Sequence, residues 1–202
     1  MQNDAEVSAT LENWVQVQAG HQFRGSVPAI ATGSVLAVQM RDLTPEGAVS
    51  WNRAVRTELS EGRATPSWLQ AGDVLFVARG DRNVAVCLDK VPSAAVCSQH
   101  FFLLRVTRPE LLPEFLAWQI NRAPAQRYLA NNAEGTDQRS IRRTVLEALP
   151  IAVPTLARQQ CVVDLAAAAA REKQAFDHLV RNRQQQLDAL AFDLLSRDTA
   201  HR

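Results

Sequence analysis

The sequence predicts an α+β protein: a mixed, β-rich head over residues 1–154, one long coiled-coil helix over 155–198, and a disordered tail at 199–202. Three observations predict it. From Val162 a seam steps by four and three through Ala166, Ala169, Lys173, Phe176, Val180, Arg183, Leu187, Leu190 and Leu194. That is a heptad repeat over roughly five heptads, the pattern of a helix that supercoils on another helix. Upstream the period vanishes, and short β-branched or apolar runs alternate with Gly, Pro, Asn and Asp clusters, as strands alternate with turns. Between the two regions lies Leu149-Pro-Ile-Ala-Val-Pro154, an extended stretch, because the residue before a proline is pushed out of the α region.

The elements follow in order. Leu11 to Val17 reads as a short amphipathic entry segment with Trp14 inward, and Gly20 to Gly33 as loop. Val35 to Met40 is a strand by its β-branched and apolar run. Thr44 to Gly47 turns, and Val49 to Pro66 reads as loop with short strands. Asp73 to Ala78, Val84 to Leu88 and Phe101 to Thr107 are three further strands, the first two joined by Arg79-Gly80-Asp81. Pro109 opens a helical segment through Asn121 with Leu112, Phe115, Leu116 and Ile120 on its apolar face. Arg127 to Leu129 is helical in composition, and Asn131 to Asp137 is a polar loop. Ser140 is placed to cap a short helix with the stripe Ile141, Val145, Leu149. Thr155 is placed to cap the long helix, which spans roughly 60 Å at about 1.5 Å per residue.

Composition excludes several classes. No apolar run approaches the roughly 18 residues of a membrane span, and the polar N-terminus, Met1 to Ser8, is unlike a signal peptide. The expected location is the cytoplasm. Cys87, Cys97 and Cys161 show no CxxC spacing and read as reduced, partly buried structural thiols. His21, His100, His178 and His201 fall in different segments, which argues against a metal cluster. There is no GxxxxGK[ST] loop, no HExxH, and no Asn/Asp-Pro-Pro-Tyr-type run to hold a target amine. Gly72-Asp73 entering a strand reads as a turn device rather than a catalytic acid. The chain is expected to be non-catalytic and to hold no cofactor of its own.

Net charge is only +1, yet Lys90 and Lys173 are the only lysines among 22 basic residues. Arginine suits bidentate contacts with guanine edges and phosphates, although a GC-rich genome gives the same bias. Between residues 122 and 143, Arg122, Arg127, Arg139, Arg142 and Arg143 face only Glu134 and Asp137. Arg139, Arg142 and Arg143, beside Thr136 and the start of the Ser140 helix, form a candidate phosphate site, because a helix N-terminus carries unpaired N–H groups and positive potential. Arg41, Arg53, Arg56, Arg63, Arg79 and Arg82 are candidates for a base-reading face, with Gln39 and Asn83 as adenine readers. The alternative for all of them is a solvated surface with a few ion pairs. Among the tryptophans, Trp118 reads as core and Trp51 as the candidate for base stacking. On the long helix, Phe176, Val180, Arg183, Leu187, Leu190 and Leu194 form the candidate dimerisation seam, the alternative being a lone helix folded back on the head.

The order of segments carries a resemblance. Leu69-Gln-Ala-Gly-Asp-Val-Leu-Phe-Val-Ala-Arg-Gly80 precedes Phe101-Phe-Leu-Leu-Arg-Val106, then Pro113-Glu-Phe-Leu-Ala-Trp-Gln-Ile-Asn121, Ala125-Gln-Arg-Tyr-Leu129, Gly135-Thr136, Ile141 and Leu149-Pro-Ile-Ala-Val-Pro154, entering a helix at Leu156 with Gln159. With Phe23-Arg-Gly25 and Val38-Gln-Met-Arg-Asp-Leu43 upstream, this resembles the target recognition domain and spacer helix of the DNA specificity (S) subunit of type I restriction–modification systems, over roughly residues 11–195. The chain departs from the family in carrying Arg158 where the segment after Pro154 ordinarily has an acid, and in having one head and one spacer where a full S subunit has two of each. The resemblance implies a half-subunit that homodimerises through its helix and reads duplex DNA. It also implies as partners an adenine-N6 DNA methyltransferase using S-adenosylmethionine and a restriction subunit using ATP and Mg. The alternative reading is a coiled-coil adaptor of another assembly whose head binds protein rather than DNA.

Overall fold

A computed structural model of the chain describes residues 7–59, 65–80, 83–135 and 139–199, with side chains from 9 to 195 within those ranges. The strands are β1 (Val7–Thr10), β2 (Val15–Ala19), β3 (Val35–Val38), β4 (Val55–Thr57), β5 (Val74–Val77), β6 (Ala85–Cys87), β7 (Ala95–Cys97), β8 (Phe101–Val106) and β9 (Pro150–Val153). The helices are α1 (Pro113–Ile120), α2 (Ala123–Asn132), α3 (Arg143–Glu147) and α4 (Leu156–Thr199), with single 3₁₀ turns at Leu11–Asn13 and Met40–Asp42. The fold is thus α+β, with the long helix where the heptads place it. Two compact units divide the chain, Met1–Val163 and Asp164–Arg202.

Within the first unit, alternation explains the layering. β5 is buried along its whole length, because its two faces enter two cores. Val74 and Phe76 pack in one core with Phe115, Leu116, Ile120 and Leu129 of α1 and α2. Leu75 and Val77 pack in the other with Leu36 and Val38 of β3 and Cys97 of β7. Successive side chains of a strand point to opposite faces, so one strand serves both cores. The sheet β2-β8-β5-β6 is therefore a middle layer between the helices and the sheet β4-β3-β7. β3 and β7 pair in parallel and β3 and β4 antiparallel. A two-stranded ladder, β1 with β9, joins residues from the two ends of the head in the register Val7↔Val153 to Thr10↔Pro150.

Two buried polar groups hold the head together. Asp73 is 2% exposed and forms a two-pronged ion pair with Arg105, Nε to Oδ1 and Nη2 to Oδ2 both at 2.7 Å. It also accepts the Gln70 N–H at 2.7 Å, the turn role its Gly72-Asp73 context predicts. The carboxylate in turn raises the pKa of Arg105 above its ordinary value. Gln159, fully buried, ties the first turn of α4 to the helical layer. It donates to the carbonyls of Glu110 and Pro154, both at 2.7 Å, and accepts the Leu112 N–H at 2.8 Å.

Several local expectations change. The entry segment Leu11 to Val17 takes the form of a 3₁₀ turn followed by the start of β2, with Trp14 packed against the first core. α2 continues to Asn132, into the expected loop. Ser140 caps nothing. Its backbone bonds reciprocally with Glu134 and bridges Arg79, so α3 starts at Arg143 with Arg142 at its N-cap and buries Leu146 rather than Val145. Cys97 is buried and Cys87 half-buried, but Cys161 is exposed rather than a structural thiol of the core.

Candidate nucleic-acid interface

Backbone hydrogen bonds draw four separate segments to one rim of the β layers. Beyond β3, the Val38 carbonyl accepts the Ser98 N–H at 2.9 Å, setting Gln39 beside the turn that leads to His100. The His100 carbonyl accepts the Ala78 N–H, and the Ala78 carbonyl accepts the Ile141 N–H, both at 2.8 Å. Gly80 donates to the Arg139 carbonyl at 3.1 Å. Its φ of +124° is open to glycine, and a Cβ there would lie 3.9 Å from the Met40 sulfur. Gln39, Met40, Arg41, Arg79, Arg139 and Ser140 thus come from positions scattered over a hundred residues to adjoining places. Arg53 joins them through Asp42, whose carbonyl accepts the Ser50 N–H while the Ser50 carbonyl accepts that of Arg53.

The charges on this rim differ in freedom. Arg41, Arg53, Arg79 and Arg139 are exposed, and none of the ion pairs among the described residues involves them. Arg142 pairs with Glu134 and Arg143 with Glu147, each at 2.7 Å. Both pairs are largely solvated, and such pairs are worth little and exchange easily. α3 has five residues and its N-cap makes no side-chain cap bond, so the helix end offers little here, and Arg139 is the exposed cation of the expected phosphate cluster that enters no ion pair among the described residues. Arg56 lies on β4 and donates to the Gly33 carbonyl at 3.4 Å, apart from the rim bonds. The Asn83 amide donates to the Val77 carbonyl at 2.9 Å, a bracket across the turn between β5 and β6 that takes up one of its two N–H groups. Thr136, Arg63 and Arg82 lie outside the described residues. Trp51 is half-buried against the second core.

Four polar atoms stand out at this rim, and of their residues only Gln39 is a candidate from the sequence. Gln39 Nε2, Asp42 Oδ1, Ser98 Oγ and His100 Nδ1 are buried and find no hydrogen-bond partner among the described residues. Such groups cost about 1–3 kcal/mol each when left dry, so each of the four calls for water or a polar group beyond the described residues. Asp42 Oδ2 accepts the Gln39 N–H at 2.8 Å, which fixes the Met40–Asp42 turn. Burial pushes the Asp42 carboxyl above its ordinary pKa, against the Gln39 hydrogen bond and the charges of Arg41 and Arg53. Nothing in the sequence signals Ser98 or His100, because β7, which carries them to the rim, is three small residues long.

In the second unit α4 presents its apolar residues to solvent. Phe176, Val180, Leu187, Leu190 and Leu194 on the seam are all more than half exposed, as are Leu165 and Leu179 beside it. Lys173 pairs with Asp177 one turn on at 2.6 Å, and this hydrogen bond lowers the Asp177 pKa. Arg183 donates to Gln186 at 3.1 Å. No helix among the described residues is long and apolar enough to cross a membrane.

No protein-family model matches the sequence, and a search of curated proteins finds no match. Solved structures do match. A chain from a structure describing complex assembly and conformational transition of the type I restriction–modification system aligns over 94% of this chain and 44% of its own length, with TM-score 0.71 and 15% identity. The S subunit of the Type-I restriction-modification system from M. genitalium aligns over 82% and 39%, TM-score 0.52, 15% identity. The HsdS subunit from Thermoanaerobacter tengcongensis aligns over 87% and 39%, TM-score 0.58, 15% identity. The chain has the fold of type I S subunits, and it spans about two-fifths of the length of the chains it matches.

Proposed function

We propose, from the S-subunit fold as premise, that this chain is a non-catalytic, sequence-specific duplex-DNA recognition subunit of a type I-like restriction–modification complex. The observation that carries the reading is the likeness over 94% of the chain to a component of a type I system. The rim supports it: exposed arginines suited to phosphate and guanine contacts share it with buried polar atoms that find no partner among the described residues. The head reads a short half-site. The exposed seam of α4 pairs with that of a second copy, since an apolar stripe of this length needs a helical partner. The partner is an adenine-N6 DNA methyltransferase, which binds S-adenosylmethionine; where a restriction subunit joins the assembly, it binds ATP and Mg, and those cofactors belong to the partners.

A closed pair of identical chains is two-fold symmetric, and duplex DNA has two-fold axes across its length. The target is therefore an interrupted palindrome: a half-site, a fixed gap, and its inverted complement. Sequencing of methylated adenines in cells carrying this chain and its methyltransferase tests the reading. A palindromic bipartite motif is expected. A non-palindromic motif refutes the homodimer, and methylation unaffected by loss of this chain refutes the recognition role.

A further inference from the structure

A groove of about 610 Å³ opens on the first unit between α1, β9 and the first turns of α4. Its floor is apolar: Phe115 stacked on Trp118 at 5.5 Å, Ile151, Val162, and the rings of Pro150 and Pro154. Two guanidiniums stand at it. Arg122 lies over the Trp118 ring at 5.4 Å, and Arg158 projects from α4. Both arginines are exposed, and neither enters an ion pair among the described residues. Neither groove arginine belongs to the DNA rim.

The backbone of the floor decides what form of chain the groove accepts. Ile151 pairs with Ala9 across the β1–β9 ladder. On the other edge of β9 stand Pro150, Ala152 and Pro154. The prolines have no N–H to offer. Ala152 is already satisfied, because the Gln119 amide accepts its N–H at 3.0 Å and donates to its carbonyl at 3.3 Å. Gln119 closes the edge as a neighbouring strand would, so no peptide adds to it by strand pairing. What remains is side-chain packing into an apolar trough flanked by positive charge, the recognition mode of an amphipathic helix laid in a groove.

We propose that this groove docks an amphipathic helix of a partner protein, whose apolar stripe packs on Trp118, Ile151 and the proline rings and whose carboxylates meet Arg122 and Arg158. The charge pattern specifies an acidic helix. A nucleic acid, offering phosphates but no apolar stripe, does not fit the floor. The docking is independent of DNA reading, so the two succeed or fail separately.

The test uses the full chain and two labelled synthetic peptides of about 18 residues, long enough for several helical turns. One carries a Leu/Phe stripe flanked by glutamates, the other the same stripe flanked by lysines. Fluorescence anisotropy should show the glutamate peptide binding about tenfold more tightly than the lysine peptide. The double substitution Arg122→Glu with Arg158→Glu should invert that preference while leaving duplex-DNA affinity and the urea midpoint unchanged. Both sites are on the surface, and unchanged melting confirms that the variant folds. A preference that stays the same in the double variant overturns the proposal, since the peptide would then sit elsewhere, α4 included. A glutamate peptide that binds equally well after a central proline breaks its helix also overturns it. So does binding that appears only after removal of residues 1–6, which would make the chain's own Asp4 and Glu6 the occupant.

Discussion

Gln159→Leu isolates the hook that fixes the start of α4. Leucine fills nearly the same volume, so the change removes polar groups without opening a cavity. Three hydrogen bonds disappear, those to the Glu110 and Pro154 carbonyls and that from the Leu112 N–H. All three backbone groups sit beside a fully buried side chain, where water does not readily replace the lost partner. At about 1 kcal/mol net each, the loss is roughly 3 kcal/mol. With a urea slope of about 2 kcal/mol per molar, the midpoint should fall by about 1.5 M with the slope unchanged. The assay is urea unfolding followed by tryptophan fluorescence, since Trp14 and Trp118 pack on the core that Gln159 closes. Gln159→Glu adds a check on mechanism, because it keeps an acceptor for Leu112 but turns charge towards two carbonyls. Its carboxyl should have a raised pKa in the folded state, so its stability should improve as pH falls towards about 4 and worsen above. A midpoint shift below about 0.3 M for Gln159→Leu, or a Gln159→Glu variant indifferent to pH, would refute the reasoning.

Other perturbations reach the rim, the seam and the thiols. Arg139→Ala should weaken binding to all duplexes alike and reduce the slope of log affinity against log salt by about one. Glu134→Gln, which releases Arg142, should strengthen binding; gel-shift titrations at several salt concentrations read both, and unchanged slopes would count against this anchor. Replacing Leu187 and Leu190 with Asp should convert a dimer into a monomer in light scattering, because unpaired buried charges cost several kcal/mol each. A wild-type chain that stays monomeric at tens of micromolar would defeat the homodimer. Burial pushes the Cys87 and Cys97 thiols up to about 12, so one thiol per folded chain, that of exposed Cys161, should react promptly with Ellman's reagent at neutral pH. Two or three prompt thiols would contradict the packing. Asp42 has a raised folded pKa, so what it gives the fold is present below about pH 4 and lost as pH rises. Asp42→Asn should therefore gain on the wild type between pH 4 and neutrality in urea melts, and an equal or shrinking gap would show the carboxylate to be better solvated than its burial implies.

Sequence pattern reached some parts of this molecule and not others, for physical reasons. β3, β5, β6 and β8 are legible because each has enough β-branched or aromatic residues to stand out locally. β7 is not: Ala95-Val-Cys97 has no alternation, since all three residues are buried, and only pairing with β3 makes it a strand. β1, Val7-Ser-Ala-Thr10, is a tetrapeptide with one β-branched apolar residue, and its partner, β9, lies at the other end of the head. The Ser140 cap failed because capping competes with bridging: the backbone of Ser140 is taken by Glu134 and Arg79, which holds it extended. Arginine-rich segments were legible as a group, but which arginines are engaged was not. Glu134, past the end of α2, claims Arg142 only because the Glu134–Ser140 bridge brings them together, whereas Glu147 claims Arg143 as an i,i+4 pair inside α3. Likewise the Asn83 amide spends one of its N–H groups on the Val77 carbonyl, a bond the sequence does not signal.

The β1–β9 ladder governs the order in which the protein can be made. Its first strand has no partner until Pro150–Val153 has been synthesised, so during translation β1 waits as an unpaired edge beside a nearly complete head. Closing so long a loop costs entropy that local contacts do not repay, which places this ladder late in folding. α4 follows directly in the chain, and its Gln159 hook needs the Pro154 carbonyl just beyond β9. The last strand to arrive and the first turn of the helix should therefore lock together. Trimming the chain at Thr10 or stopping it at Leu149 should produce the same defect: a layered head with its seal missing, exposed to proteases along one edge.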